Sequence, residues 1–162
     1  LFAGFGSASA QENEGVELTE DMFHKCDQRE FLAHSAIEAT QKINVAGIIT
    51  DSETGLTARI LASFRGSNPV LAICYKEKTQ RWLNLSYGVI PVHQKEKGLV
   101  SAQYVFYAAL RMLRQKGYIS LDDKIAYLSG SFGEGGGTTF LEINNVKDVF
   151  DKKYKFHLPN FE

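Results

Sequence analysis

A hydroxyl-rich turn at residues 51–57 has the residue types of an anion-binding site. It follows the β-branched apolar run Ile48 to Thr50 and precedes a segment whose apolar residues recur at helical spacing. A helix that begins in such a turn presents free backbone N–H groups and a partial positive charge. The serine and threonine hydroxyls add further hydrogen-bond donors. Together these groups favour the binding of a phosphate or a similar anion.

A glycine-rich segment, Ser129 to Gly137 (SGSFGEGGG), is the second candidate for ligand binding. It is not a Walker loop, because no Gly-Lys-Ser/Thr follows it and no helical pattern begins there. Both candidates follow predicted strands of a parallel sheet. They should therefore meet at its carboxyl edge, where the ligands of open α/β sheets bind. We expect the two loops to cradle a phosphate-type ligand together.

Both loops also have a purely structural interpretation. Thr54 could be the N-cap of the following helix, a role worth about 1 kcal/mol. The glycines could merely permit positive φ in tight turns. None of the four histidines has metal-ligand spacing with a cysteine or carboxylate, and the sequence has no Gly-x-Ser-x-Gly elbow. We predict no catalytic residue and no metal site in this chain.

Helical and strand patterns alternate from Arg29 onward with short connections. The predicted helices cover residues 29–44, 55–64, 77–85 and 99–116, and the predicted strands cover 46–50, 70–75, 89–92, 124–128 and 138–143. These βα units predict an α/β fold, a three-layer open sheet of about five strands with helices on both faces. The sheet is mostly parallel, but the segment before the last strand is too short for a crossover helix, so that strand is antiparallel. Pro91 favours an edge or a strand end for the third strand.

The composition is ordinary for a soluble globular domain. The chain has 162 residues, of which 44% are hydrophobic and 23% are charged, and its formal net charge is −1. This balance argues against a nucleic-acid partner, which would require a clustered basic excess, and we expect no membrane association. We divide the chain into a poorly ordered acidic lead-in or linker (1–28), one folded domain (29–146) and a C-terminal tail (147–162).

Four ordered sequence blocks match the motifs of one known family. The blocks are Ala36-Ile37-Glu38-Ala39, Ala46 to Thr50, Ser52 to Ala58, and Phe64-Arg65 through Pro69. At this spacing they resemble the C-terminal domain of pyruvate kinase, in which an A-[IV]-E-A helix leads into a strand, a hydroxyl-rich turn and a helix ending in [YF]-R-x-x-x-P. The resemblance continues through residues 70–73 and 86–92 and, more weakly, to about residue 143.

This resemblance implies both a fold and a site. The family's sheet has five strands with one antiparallel, in agreement with the pattern of elements. Its allosteric sugar-phosphate pocket is built from the two loops singled out above. Mapped by position, the residues around the phosphate would be Ser52, Glu53, Thr54, Gly55 and Thr57, with Ser131, Gly135 and Gly136 in the loop that closes over the ligand.

The resemblance also implies where catalysis takes place in the parent enzyme. Pyruvate kinases transfer a phosphoryl group from phosphoenolpyruvate to ADP with Mg²⁺ and usually K⁺, on a barrel domain that precedes this one. Such transfer needs metal-bridging carboxylates and cations around the phosphoryl group, and no motif of that kind is visible here. We therefore expect no cofactor in this chain and no phosphotransferase activity of its own. The glycolytic resemblance and the lack of a disulfide framework favour the cytoplasm.

Two departures from the family pattern bear on the effector. Glu53 stands where members that respond to fructose 1,6-bisphosphate tend to carry a lysine, and Val105 stands where an arginine would hold a second phosphate. A hydrogen bond to a charged group contributes about 1.5–3 kcal/mol, so reversing the charge is strongly unfavourable. We expect activation by a bisphosphate to be absent or weak. A sugar monophosphate or AMP as effector, or no effector at all, stays open.

The predicted helix 99–116 is unusually apolar. Between Leu99 and Leu113 its only polar residues are Ser101, Gln103 and Arg111. It either packs between its own sheet and neighbouring helices or forms a subunit interface. In the family the C-terminal domains meet across such a helix and the last strand. We therefore expect self-association, as a dimer or tetramer, through helix 99–116 and the last strand.

Three functions stay open from the sequence. The chain could be the assembly and effector-sensing domain of a full pyruvate kinase. It could instead be a free-standing phosphometabolite-binding module of the same fold. This alternative stays open because residues 1–28 do not match the family. It could also be a purely structural assembly domain whose pocket has decayed, as Glu53 and Val105 suggest.

Overall fold

The computed structural model describes residues 27–95, 102–130 and 137–152. Helices and strands alternate along these residues except for the last two strands, which follow each other directly, as the sequence pattern predicts. In chain order they are α1 (Gln28–Lys42), β1 (Gly47–Ser52), α2 (Leu56–Ser63), β2 (Val70–Cys74), α3 (Glu77–Leu83), β3 (Val89–His93), α4 (Ala102–Gln115), β4 (Lys124–Gly130), β5 (Thr138–Asn145) and α5 (Val146–Lys152).

The strands form one five-stranded sheet in the order β3-β2-β1-β4-β5. β1 pairs in parallel with both β2 and β4, and β2 pairs in parallel with β3. β5 pairs antiparallel with β4. The predicted fold is confirmed, including the antiparallel last strand. Pro91 lies in β3, an edge strand, where its missing N–H costs no ladder hydrogen bond on the open side.

The sheet separates two hydrophobic cores because successive strand residues point to opposite faces. On one face, Ile48 and Leu128 pack with buried residues of α1, α2 and α3. On the other face, Ile49 and Ile125 pack with buried residues of α4 and α5. Every residue of β2 is buried, as expected for a parallel strand covered on both sides. We call these the α1 face and the α4 face.

Of the helices that begin at the carboxyl edge of the parallel strands, α1 and α2 start where the candidate site was predicted. α2 follows the end of β1 directly. α1 ends close to the start of β1, to which residues 43–46 connect it, so its own first turn lies at the opposite, carboxyl edge. The start of β5 is at this edge too, because β5 runs antiparallel to β4. Segments distant in sequence therefore meet at one place.

The chain after β5 continues into α5, which no periodic pattern in the sequence predicts. Val146 is fully buried in the α4-face core, and the ring of Phe150 meets that of Tyr107 edge-on with centroids 5.2 Å apart. The short helix is held by these contacts rather than by helix propensity. α5 therefore covers part of the outer surface of α4, which was predicted to be a subunit interface. No helix within residues 27–95, 102–130 and 137–152 is long and apolar enough to cross a membrane.

Candidate functional site

The turn after β1 is closed by its own serine. Ser52 is the last residue of β1 and is 7% exposed, and its Oγ accepts a hydrogen bond of 2.7 Å from the N–H of Gly55. Gly55 has φ of 84° and occupies the N-cap position of α2. A Cβ at this position would also lie 3.2 Å from Leu83. The positive φ and the close neighbour both favour glycine here.

Thr54 has little part in this cap. Its Oγ1 is 3.4 Å from the N–H of Leu56, a long hydrogen bond, and α2 has no side-chain cap at Gly55 itself. Thr54 and Glu53 are both exposed. The backbone carbonyl of Glu53 accepts a hydrogen bond of 2.6 Å from Thr79 of α3, which holds the turn in place. The two exposed side chains are therefore presented to solvent by a fixed backbone.

Thr57 connects the first turn of α2 to β5. Its Oγ1 lies 2.8 Å from the Oγ1 of Thr138, and both side chains are buried. Thr138 comes directly after the glycine-rich segment, so this bond brings the ends of both predicted loops together. The loop residues Ser131, Gly135 and Gly136 lie outside the described residues. Sequence reasoning missed Thr138, whose only signal was its position next to that loop.

Arg29 supplies a cation at the same edge, and sequence reasoning missed it. Its Nη2 would lie 3.1 Å from a Cβ placed on Gly137, so the guanidinium group is next to the start of β5. Within the described part of the chain, its acidic partner is the Asp27 carboxylate at 4.0 Å, and the Arg29 side chain is 25% exposed. So long an ion pair leaves guanidinium N–H groups to donate elsewhere. At the position where a family arginine was sought, Val105 is buried in α4.

Asp51 introduces a carboxylate beside the turn, on the α4 face of the sheet. Burial raises the pKa of Asp51, a hydrogen bond with the Ser129 hydroxyl lowers it in part, and the nearby Glu53 charge raises it further. Burial and the Asp51 charge raise the pKa of Tyr127, which also hydrogen-bonds to Ser129. The turn therefore has hydroxyls on one side and a hydrogen-bonded carboxylate on the other. No group of three metal-ligating side chains occurs among the residues described.

The described residues at this edge offer hydrogen-bond donors of the kind that an anion accepts. The hydroxyl of Ser52 accepts from Gly55 and can still donate its own proton. In the Thr57–Thr138 pair one hydroxyl donates to the other, which leaves one proton for a ligand. The first intrahelical bond of α2 runs from the N–H of Arg59 to the carbonyl of Gly55, and the N–H of Leu56 makes the long bond to Thr54. The N–H groups of Thr57 and Ala58 are therefore the donors that the helix itself leaves unpaired.

Comparison with known proteins identifies the family. The family model described as "Pyruvate kinase, alpha/beta domain" matches residues 30–144. The chain is 34% identical over 129 residues to the pyruvate kinase of Borreliella burgdorferi, and this match covers 78% of this chain and 27% of the relative. It is 30% identical over 118 residues to the pyruvate kinase of Staphylococcus aureus, covering 72% of this chain and 19% of the relative. It is 27% identical over 118 residues to the pyruvate kinase of Lactobacillus delbrueckii, and this match covers 72% of this chain and 20% of the relative. The chain thus spans about a quarter or less of the length of these curated relatives.

Proposed function

Because the chain belongs to the pyruvate kinase alpha/beta-domain family, we propose that it is the regulatory and subunit-assembly domain of a pyruvate kinase. The parent enzyme would transfer a phosphoryl group from phosphoenolpyruvate to ADP in the cytoplasm. Mg²⁺ and K⁺ would bind in the part of the relatives that this chain does not span. This domain alone would have no phosphotransferase activity.

The proposed regulatory ligand is a monophosphate, either a sugar monophosphate or AMP. The Thr57–Thr138 contact of 2.8 Å carries this proposal, because it joins the start of α2 to the residue that follows the glycine-rich loop. The phosphate would accept hydrogen bonds from the hydroxyls of Ser52 and Thr57 and from the first N–H groups of α2. Arg29 would provide a positive charge at this edge, where Glu53 and Val105 replace the cations of the family pattern.

Glu53 and Asp51 favour one phosphate over two. The Glu53 charge acts on Asp51, so the two carboxylates are close to each other and to the turn. A second phosphate near them would meet repulsion where the bisphosphate-responsive pattern has a cation. A charge-assisted hydrogen bond is worth about 1.5–3 kcal/mol, so its loss alone weakens binding by about tenfold or more. We expect fructose 1,6-bisphosphate to bind more weakly than a monophosphate.

A thermal-shift and calorimetric titration of the whole chain tests the ligand proposal. The panel is ribose 5-phosphate, glucose 6-phosphate, AMP, fructose 1,6-bisphosphate and inorganic phosphate. A ligand at 100 times its Kd adds about 2.7 kcal/mol, which is several degrees for a domain of this size. The shift should vanish in Ser52→Ala/Thr57→Ala and fall in Arg29→Gln. It should persist in Ser63→Ala, which removes an exposed hydroxyl at the far end of α2. A panel without any shift would refute the effector role.

Self-association through β5 is the second part of the proposal. β5 is an edge strand, and its Phe140 and Ile143 side chains are 36% and 38% exposed. An edge strand with exposed apolar residues has unpaired backbone groups for another chain to pair with. β5 is a better candidate than the outer surface of α4, part of which α5 covers. Light scattering should give an oligomer that becomes a monomer in Ile143→Lys but not in Tyr118→Lys, which alters an exposed aromatic residue elsewhere. A monomeric unsubstituted chain would refute this part.

A further inference from the structure

Exposed apolar side chains cluster at the end of α3 and in the connection to β3. Trp82, Leu85 and Tyr87 are 64%, 91% and 57% exposed. Leu85 and Trp82 are the two most exposed large apolar residues of the described chain. Single exposed apolar residues are common on proteins, whereas a patch of three within six residues is typical of an interaction site.

Cations lie against the rings of this patch. The Nζ of Lys78 is 5.8 Å from the centre of the Trp82 ring, and the guanidinium carbon of Arg65 is 4.9 Å from the centre of the Tyr87 ring, both within the range of a cation–π contact. Arg81 is exposed next to Trp82. None of the three cations forms an ion pair with another described residue, so their charges are available to a partner. We call this region the α3 surface; it comprises Arg65, Lys78, Arg81, Trp82, Leu85 and Tyr87.

The part of the chain around the α3 surface is basic. Residues 54–95 contain six of the chain's 18 lysines and arginines but only one of its 19 acidic residues, Glu77. All seven of these charged side chains are exposed. The chain as a whole has a formal charge of −1, so its positive charge is concentrated in this region. A partner that fits the α3 surface therefore combines apolar side chains with carboxylates.

The same chain contains a segment of this complementary composition. Residues 11–18 (QENEGVEL) have three glutamates, two aliphatic residues and no lysine or arginine. They lie outside the part of the chain that the structure describes. Three carboxylates match the three cations of the α3 surface, and the aliphatic side chains match its exposed apolar residues.

The segment is close enough along the chain to reach this surface. α1 begins at the carboxyl edge of the sheet, whereas α3 ends near the amino edge on the same α1 face. The length of α1 and the spacing of the strands put these two points about 30 Å apart. An extended chain covers about 3.3 Å per residue, so about nine residues span the distance. Leu18 is nine residues before Asp27, where the described chain begins.

We propose that residues 11–18 bind the α3 surface of their own chain and control access to it. The three glutamates pair with the three cations, and the two aliphatic side chains cover Trp82 and Leu85. Single exposed ion pairs contribute little, so the three pairs and the apolar contacts act together, and removing all three carboxylates should release the segment. This inference goes beyond the proposed function and does not depend on any effector.

Fluorescence of the whole chain tests the contact, because Trp82 is the only tryptophan. At low ionic strength acrylamide should quench Trp82 weakly. At about 1 M NaCl, where the Debye length is about 3 Å, quenching should rise about twofold and the emission should shift to longer wavelength. Glu12→Gln/Glu14→Gln/Glu17→Gln should produce the same change at low salt. Removing three exposed carboxylates elsewhere should not, and this control is Asp122→Asn/Glu142→Gln/Asp151→Asn.

Charge reversal tests whether the pairing is specific. Lys78→Glu/Arg81→Glu should release the segment and raise the quenching of Trp82, and adding Glu14→Lys/Glu17→Lys to the same chain should lower it again. Circular dichroism and the unfolding midpoint of each variant establish that its fold is intact.

Carbodiimide cross-linking distinguishes binding within one chain from binding to a second copy. It joins carboxylates to amines in direct contact, so peptide mapping should find Lys78 joined to a glutamate of residues 11–18. In a mixture of isotope-labelled and unlabelled chains, each cross-link should contain one isotope. Cross-links of mixed isotope would assign the segment to a second copy and overturn the proposal. Equal quenching at low and high salt and in the glutamate variant would overturn it as well.

Discussion

The contact between Thr57 and Thr138 should be measurable as a coupling free energy. Both side chains are buried, at 9% and 8% exposure, and their hydroxyl oxygens are 2.8 Å apart. Replacing one threonine by valine keeps the β-branched shape and leaves the other hydroxyl without this partner. An unsatisfied buried hydroxyl costs about 1–3 kcal/mol, whereas removing both partners of a hydrogen bond can be nearly neutral.

We therefore expect Thr57→Val and Thr138→Val each to lower the free energy of unfolding by about 1–2 kcal/mol. The double variant should lose less than the sum of the two, with a coupling energy of about 1–2 kcal/mol. Each kilocalorie per mole corresponds to about 2–4 °C in the midpoint of a domain of this size. Urea denaturation of the four proteins gives the free energies, and equal m-values establish that only stability has changed.

Thr40→Val is the matched control for this cycle. Thr40 is also buried, but its hydroxyl donates to the Ile37 carbonyl near the C-terminal end of α1. It is not a partner of Thr57, so the two substitutions should add. Strict additivity of Thr57→Val with Thr138→Val would refute the contact and, with it, the reasoning that joins the two loops at this edge. If the double variant is stable but no longer binds phosphate, the two hydroxyls are needed for ligand binding and not for folding.

Three further predictions concern single residues. The raised pKa of Asp51 means that the folded chain binds its proton more tightly than the unfolded chain, so stability falls as pH rises through the window between the ordinary carboxyl pKa and the raised one. Asp51→Asn should remove this pH dependence. In urea denaturation, the free energy of unfolding of the variant relative to the unsubstituted chain should therefore increase from acidic to neutral pH. A difference that stays constant with pH would contradict the prediction. Gly55→Ala should lower the free energy of unfolding by about 1–3 kcal/mol, because φ is 84° and a Cβ would lie 3.2 Å from Leu83. An unchanged melting temperature would show that this position carries no backbone strain in the variant. Burial raises the pKa of the Cys74 thiol to about 11, so peptide mapping after iodoacetamide treatment at pH 8 should find Cys74 modified only in the unfolded chain.

The candidate site was only partly predictable from the sequence. The turn between β1 and α2 was located from a β-branched run followed by hydroxyls and a helical pattern. The N-cap assignment differed, since Gly55 rather than Thr54 occupies that position. Arg29 is 28 residues from Thr57 along the chain, and nothing in local composition connects it to the turn. α5 was missed because seven residues are too few for a periodic signal.

The sequence by itself determined the elements and the class of fold. Apolar runs such as Val70 to Cys74 predict buried parallel strands, and the short connection before β5 permits only an antiparallel return. These features depend on local backbone geometry and on the spacing of apolar residues. Tertiary structure alone decided that Thr57 meets Thr138, that Arg29 approaches Gly137 and that Asp51 lies beside Ser129. Such contacts depend on strand order and on the face to which each strand side chain points, and a one-residue slip of a strand would move its side chains to the opposite face.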